Sequence, residues 1–178
     1  MQLILRERVT KLGRLGEVLA AEGLKRSGFT DVEDLNLRRI NHQFGDLLAT
    51  KNGVRYFISV KTRNEMRQGE VGMNEAYNLI LISNVANAEL KRQGETADQI
   101  TEMLLAEVGD LAAVYDATPA WITVVISAKA GTYSAYFGLV ATLGNRRSVP
   151  MTLKAREEYL CLADNLTDGR VTADLLNT

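Results

Sequence analysis

An Asn52-Gly53 pair stands between two strand-forming runs, "GDLLATK" and "VRYFISVK". Asn-Gly favours the two-residue turn of a β-hairpin, because both turn positions need a positive φ that these residues tolerate. That dipeptide sets a register. With Asn52 and Gly53 as the loop, Lys51 pairs with Val54, and the pairing runs back until Asp46 lies across from Ser59. Side chains alternate along a strand, so Asp46, Leu48 and Thr50 share a face with Arg55, Phe57, Ser59 and Lys61, while Leu47, Ala49, Tyr56, Ile58 and Val60 take the other. The second face reads as apolar core. The first carries a polar end of Asp46, Ser59 and Lys61, with Lys61 diagonal to Asp46. Such an end also suits the solvated face of an ordinary hairpin, with Asp46 and Lys61 as an exposed ion pair.

Upstream, "TKLGRLGEVLAAEGLKRSGF" is rich in Leu and Ala and stops at Gly28, which predicts a helix over about residues 11–27. At about 100° per residue, Lys11, Arg14, Glu22 and Lys25 form a polar arc, opposite Leu12, Gly16, Leu19, Ala20, Gly23 and Leu24. Glu17 falls between the two arcs, where a carboxylate either finds a partner or is helped by the dipole of an early helical turn. "DLNLRRINHQ" is ambiguous and admits a strand. From Thr96 the pattern turns helical: Ile100, Met103, Leu104, Val108, Leu111, Ala112 and Tyr115 recur at three- and four-residue steps, and Thr96 with Gln99 makes a capping box. "WITVVIS" and "YSAYFGLV" read as strands joined by a turn at Lys129-Ala130-Gly131-Thr132. "TLKAREEYLCLAD" reads as a closing helix with Cys161 a small core residue. This order predicts an α/β sandwich built on a mixed central sheet.

The 178 residues, 46% of them hydrophobic and 24% charged, suit one soluble domain over 1–178. No apolar run reaches the roughly 18 residues of a membrane span. The start, "MQLILRERVT", turns charged too early for a secretion signal, so the expected location is the cytoplasm. One cysteine and one histidine, His42, exclude a disulfide framework and zinc sites built on several Cys or His; a structural hydrogen-bonded role is expected for His42. There is no P-loop, no G-x-S-x-G and no dinucleotide fingerprint. The net charge of -1 is uneven: 13 Lys and Arg against 9 Asp and Glu in residues 1–70, 2 against 8 in 71–120, and 6 against 5 in 121–178. Positive charge gathers with the hairpin.

"GRLGEVLAAEGLKRSGF" followed by "GDLLATKNGVRYFISVKTR" resembles the nuclease core of the PD-(D/E)XK superfamily, particularly its Holliday-junction-resolvase-like and restriction-endonuclease-like branch. That family carries Gly-Glu on its first helix, Gly-Phe or Gly-Tyr ending it, an Asp on the second strand and acid-x-Lys on the third. Glu17, Gly28-Phe29, Asp46 and Lys61 match in order and spacing over residues 11–64, and the remainder matches in element order. The resemblance implies a restriction-endonuclease-like three-layer α/β/α fold, with a mixed central β-sheet flanked by helices. It also implies a metal-dependent endonuclease that hydrolyses DNA phosphodiester bonds. Mg²⁺ or Mn²⁺ is held by Asp46 and the Val60 carbonyl in this reading, and Glu17 either completes the metal shell or positions Lys61. Lys61 orients or helps deprotonate the attacking water and offsets charge on the phosphate. Gly45 stands where the family name has proline. Ser59 stands at the second acid, which removes a charge and a hard ligand and implies weak metal binding.

Ser59 leaves three expectations open: an active nuclease in which Glu17, or a displaced acid such as Glu65 or Glu70, supplies the missing charge; a nuclease-fold protein that binds nucleic acid without cutting; or a domain that mediates protein assembly. Arg38, Arg39, Lys51, Arg55, Arg63 and Arg67 are the candidates for tracking phosphates, Arg63 first because it follows Lys61 by two positions. The acidic segment 71–120 is expected away from DNA. Its Ile100–Tyr115 stripe either packs on its own sheet or forms a subunit contact, as in a homodimer.

Overall fold

The computed structural model describes residues 2–37, 44–66, 72–80, 84–152 and 155–172. Arg38, Arg39, His42, Arg67 and Glu70 therefore lie outside the described residues. Helix α1 (Gln2–Arg26) starts earlier than its apolar pattern suggests. It ends with Gly28 at φ +81°, where the Gly28 N–H donates to the Lys25 carbonyl (3.2 Å) and the Phe29 N–H to that of Leu24 (3.1 Å). That double closure satisfies carbonyls otherwise left open and seats Phe29 beside Leu24 in the core.

Strand β1 (Thr30–Asp34) follows, and a single 3₁₀ turn (Leu35–Leu37) begins the ambiguous segment. The hairpin forms as read, with β2 (Leu47–Lys51) and β3 (Val54–Asn64) in register from Lys51↔Val54 to Leu47↔Ile58, and Asn52 and Gly53 at φ +51° and +77°. After a short β4 (Ala76–Asn78) come α2 (Asn84–Arg92) and α3 (Ala97–Ala113), the latter opened by the expected capping box of Thr96 and Gln99. β5 (Thr118–Ser127) and β6 (Thr132–Leu139) are the two apolar strands, and β7 (Ser148–Pro150) pairs with β4.

The carboxy-terminal expectation is overturned. "TLKAREEYLCLAD" keeps only one helical turn, α4 (Ala155–Glu158), and continues as β8 (Leu160–Thr167) on the edge of β6. Short apolar runs do not distinguish helix from strand. Pairing with β6 and burial of Leu162 against α1 at Gly23 decide for the strand. Cys161 accordingly lies exposed on β8 and not in the core.

The main sheet has the order β1-β2-β3-β5-β6-β8. Its neighbours are antiparallel except for β3 and β5, which run parallel. Alternation along the strands splits the core cleanly. Leu47, Ala49, Ile58, Ile122 and Val124 meet Leu19, Ala20 and Leu24 of α1. On the opposite face Leu48 and Phe57 share a cluster with Ala112 of α3, and Trp121 shares another with Val108. The Leu48–Phe57 face is therefore buried under α3, which removes the solvated-hairpin alternative; of the Ile100–Tyr115 stripe, Val108, Leu111, Ala112 and Tyr115 pack on the sheet side, whereas Met103 stays half exposed. Each fully buried Leu or Ile contributes about 1.5–3 kcal/mol relative to exposure. Among the described residues no helix is long and apolar enough to cross a membrane.

Two glycines permit close approaches near the head of the hairpin. A Cβ on Gly16 would overlap the Thr62 side chain, and one on Gly45 would overlap the Phe57 ring. The first lets α1 lie directly on β3; the second explains why nothing bulkier than glycine precedes Asp46. Gly16→Ala is expected to lower stability by about 1–3 kcal/mol in urea unfolding through overpacking, outweighing the roughly 1 kcal/mol that alanine gains in a helix. Adding Thr62→Ala should recover part of the loss. A fully stable single variant would contradict this seating of α1.

Candidate functional site

Asp46 immediately precedes β2, and its backbone is pinned on both sides. Its N–H donates to the Ile58 carbonyl (2.8 Å), and its carbonyl accepts from Leu35 N–H (3.0 Å). The regular ladder ends there, and the carboxylate reaches the edge of β3. Oδ2 accepts the Val60 N–H at 2.7 Å, and Oδ1 takes a longer bond from the Asn36 amide at 3.4 Å. A strand residue sends its N–H and C=O to the same side, so the Val60 carbonyl lies along the edge that Asp46 occupies.

Burial pushes the Asp46 carboxyl up to about 6. The Val60 N–H opposes this, the negative charge of Glu17 adds to it, and Lys61 and Asn36 pull the other way. Burial likewise pushes the Lys61 ammonium below its usual range; attraction to Asp46 resists the shift, and Arg63 reinforces it. Glu17, on α1, finds the partner its position demands: Arg14 Nη1 bridges it (2.7 Å) and Asp34 of β1 (2.5 Å). The helix-dipole alternative fails, because α1 begins about four turns earlier. Lys61 stands on the opposite strand face from Val60 and Thr62, which meet α1. Glu17, on α1, and the Lys61 side chain thus lie on opposite sides of the sheet, and Asp46, at the strand edge, feels both charges.

Ser59 departs from expectation. It is only 1% exposed, lies in register beside Trp121, and its Oγ has no hydrogen-bond partner. The face expected as a polar end is interior at this point, because α3 packs on this side of the sheet against the flanking Phe57 and Trp121. An acid at position 59 would carry charge into that interior. Glu65 lies four residues beyond Lys61 along the strand direction, about 13 Å away, so it does not replace the missing acid at Asp46. Glu17 is the described acid whose charge reaches Asp46.

The basic residues separate into two groups. Arg63 lies on the same strand face as Lys61, with its guanidinium 4.1 Å from the Tyr77 ring centre and Nη1 donating to the Thr62 carbonyl (2.6 Å). Lys51 and Arg55 sit at the turn end of the hairpin, away from Asp46. Lys51 Nζ donates to the Ser27 carbonyl (2.9 Å) beside the Phe29 ring, and Arg55 reaches the Tyr115 carbonyl (3.3 Å). Both close local structure. Asn36 and Asp34, which steady Asp46 and Arg14, were invisible to sequence reasoning because the surrounding segment has no clear period.

Among the described residues, no group of three or more His, Cys, Asp or Glu side chains assembles as a metal-holding set. Glu17 and Asp46 nonetheless supply two hard carboxylates whose fields oppose one another, with the Val60 carbonyl alongside. Carboxylates and a carbonyl are donors of the type Mg²⁺ takes, and one or two carboxylates suffice when a phosphate completes its coordination. No family model, curated protein or solved structure matches this chain.

The sign of the pH effect follows from Asp46. Its folded pKa lies above its unfolded value, so its contribution to stability is fully present below about pH 4 and is lost as pH rises through about 6. Asp46→Asn, whose amide oxygen still accepts the Val60 N–H, is expected to gain about 1–3 kcal/mol over wild type above pH 6. Below pH 4 the two should converge. Urea unfolding across pH 3.5–8 measures this, and parallel curves would contradict it.

Proposed function

We propose that this chain is a divalent-metal-dependent nuclease of the PD-(D/E)XK kind that hydrolyses DNA phosphodiester bonds, with Glu17, Asp46 and Lys61 as its working residues. The carrying observation is the Asp46 carboxyl, held on the edge of the third strand within the fields of both a helix-borne acid and a strand-borne lysine. The arrangement of elements adds support. Glu17 is on the first helix, Asp46 heads the second strand and Lys61 lies on the third. Helices cover both faces of a sheet that is mixed only at β3–β5, compatible with a restriction-endonuclease-like three-layer α/β/α arrangement.

In this reading Asp46 and Glu17, with the Val60 carbonyl, hold Mg²⁺ or Mn²⁺. When bound, the ion supplies Lewis-acid polarisation of a phosphate oxygen and acidifies a water. Val60 N–H fixes the orientation of Asp46, and Arg14 restrains Glu17. Lys61, partly desolvated, places its ammonium where charge develops on the phosphate, and interactions of that kind strengthen as water is excluded. Arg63 lies one step further along the same face and contacts the next phosphate. Ser59 takes no part, being buried beside Trp121 on the neighbouring strand.

The second reading, a nuclease fold that binds DNA or assembles without cutting, is favoured by one observation: an uncharged residue occupies the interior position of the second acid. The two readings diverge in a plasmid-nicking and branched-DNA assay with Mg²⁺ or Mn²⁺. Cleavage should fall by about 10²–10³ in Lys61→Ala and in Asp46→Asn and persist in Ser59→Ala. Salt-sensitive binding with no cleavage by wild type over a broad substrate panel would instead support the non-cutting alternative.

A further inference from the structure

Beyond Lys61 and Arg63, the α3-side face of the sheet opens into a cavity of about 360 Å³ that the site described above does not use. We infer that it receives a single unstacked nucleobase whose phosphate lies at Lys61 and Arg63; the inference rests on the nuclease reading.

The cavity begins at Val125, the register neighbour of Arg63, just as Thr123 is that of Lys61. Charge along this face is sorted by direction. Cations stand at Lys61 and Arg63, and the carboxylates Glu65 and Glu75 stand at the cavity wall. From Lys61 to Glu65 the strand direction covers about 13 Å, a span on the scale of one nucleotide from phosphate to outer base edge. A nucleotide lying the other way would set its phosphate against two glutamates. In the favoured direction its exocyclic amine meets carboxylate acceptors, the pairing by which acidic side chains recognise cytosine. Met73 and Met151 contribute polarizable apolar wall suited to an aromatic face.

The strand opposite is shaped for this cavity. Between Tyr133↔Leu166 and Ala135↔Ala163 the β6–β8 register slips by one, so β8 carries an extra residue across from Ser134. Asn165 adopts φ +47° there; its N–H donates to Ser134 Oγ (2.9 Å), and its Oδ1 accepts a longer bond from the same hydroxyl (3.5 Å). A bulge of this kind re-aims a side chain beside a site. It fixes a carboxamide at the cavity wall, where Nδ2 donates to Asp164 Oδ1 (3.2 Å) and Oδ1 keeps a lone pair for an exocyclic amine. An amino-bearing base, adenine or cytosine, fits both features.

The test uses the full chain in Ca²⁺, which takes the same oxygen ligands, with duplexes that are either fully paired or carry an unpaired adenine opposite an abasic position, each with 2-aminopurine as the neighbouring base to report unstacking. Wild type is expected to bind the unpaired-base duplex about tenfold more tightly, with a change in 2-aminopurine emission. Ser127→Phe fills the cavity from a half-buried wall position. Ser134→Ala is the milder companion, removing only the hydroxyl that holds Asn165. Both should lose the preference while keeping paired-duplex affinity. Equal affinity of wild type for the two duplexes, or a preference that survives in both variants, overturns the cavity assignment and leaves the nuclease reading standing. No binding to either duplex overturns both.

Discussion

The hydrogen bond from the Val60 amide to the Asp46 carboxylate joins the head of β2 to the edge of β3, and the candidate site is arranged around it. A carboxylate at this depth is costly, and burial pushes its pKa up to about 6. The Val60 N–H, Asn36 and Lys61 offset part of that cost, whereas Glu17 increases it. Nothing in ordinary core packing calls for a second acid near a buried one. A nearby cation, or a proton on Asp46, relieves that cost, and at neutral pH a divalent cation does so without discharging Asp46.

The neighbouring strands carry the same departure from an optimised interior. Ser59, Thr62 and Thr123 are buried within two adjacent strands, and none of their hydroxyls has a hydrogen-bond partner. Each such group costs about 1–3 kcal/mol. Apolar isosteres would fit the surrounding Ile, Val and Trp side chains at least as well. Local inconsistency concentrated around one lysine is what a functional site looks like when the rest of the fold is consistent.

The hairpin was legible because Asn52-Gly53 admits essentially one turn, and alternation then assigned each side chain to a face. Helix α3 was legible from its capping box and apolar stripe. Glu17 stood out from its helical position alone, and Arg14 turned out to be its partner. What the pattern hid was non-local. A strand face looks solvated until α3 is known to cover it, so Ser59 was assigned to a polar end it does not occupy. β8 was misread because its pairing with β6 lies outside its own residues. Asn36 steadies Asp46 across ten positions of chain with no periodicity to mark it.

The central claim is that Glu17 and Asp46 form one cation-binding unit beside Lys61. A Mn²⁺-soaked crystal, read by anomalous scattering, tests it most directly. The expected result is a peak shared by the Asp46 and Glu17 carboxylates at the Val60 edge of β3, absent from an Asp46→Asn crystal soaked in the same way. A well-ordered wild-type crystal with no peak there, or with manganese bound only at surface carboxylates elsewhere, would contradict it.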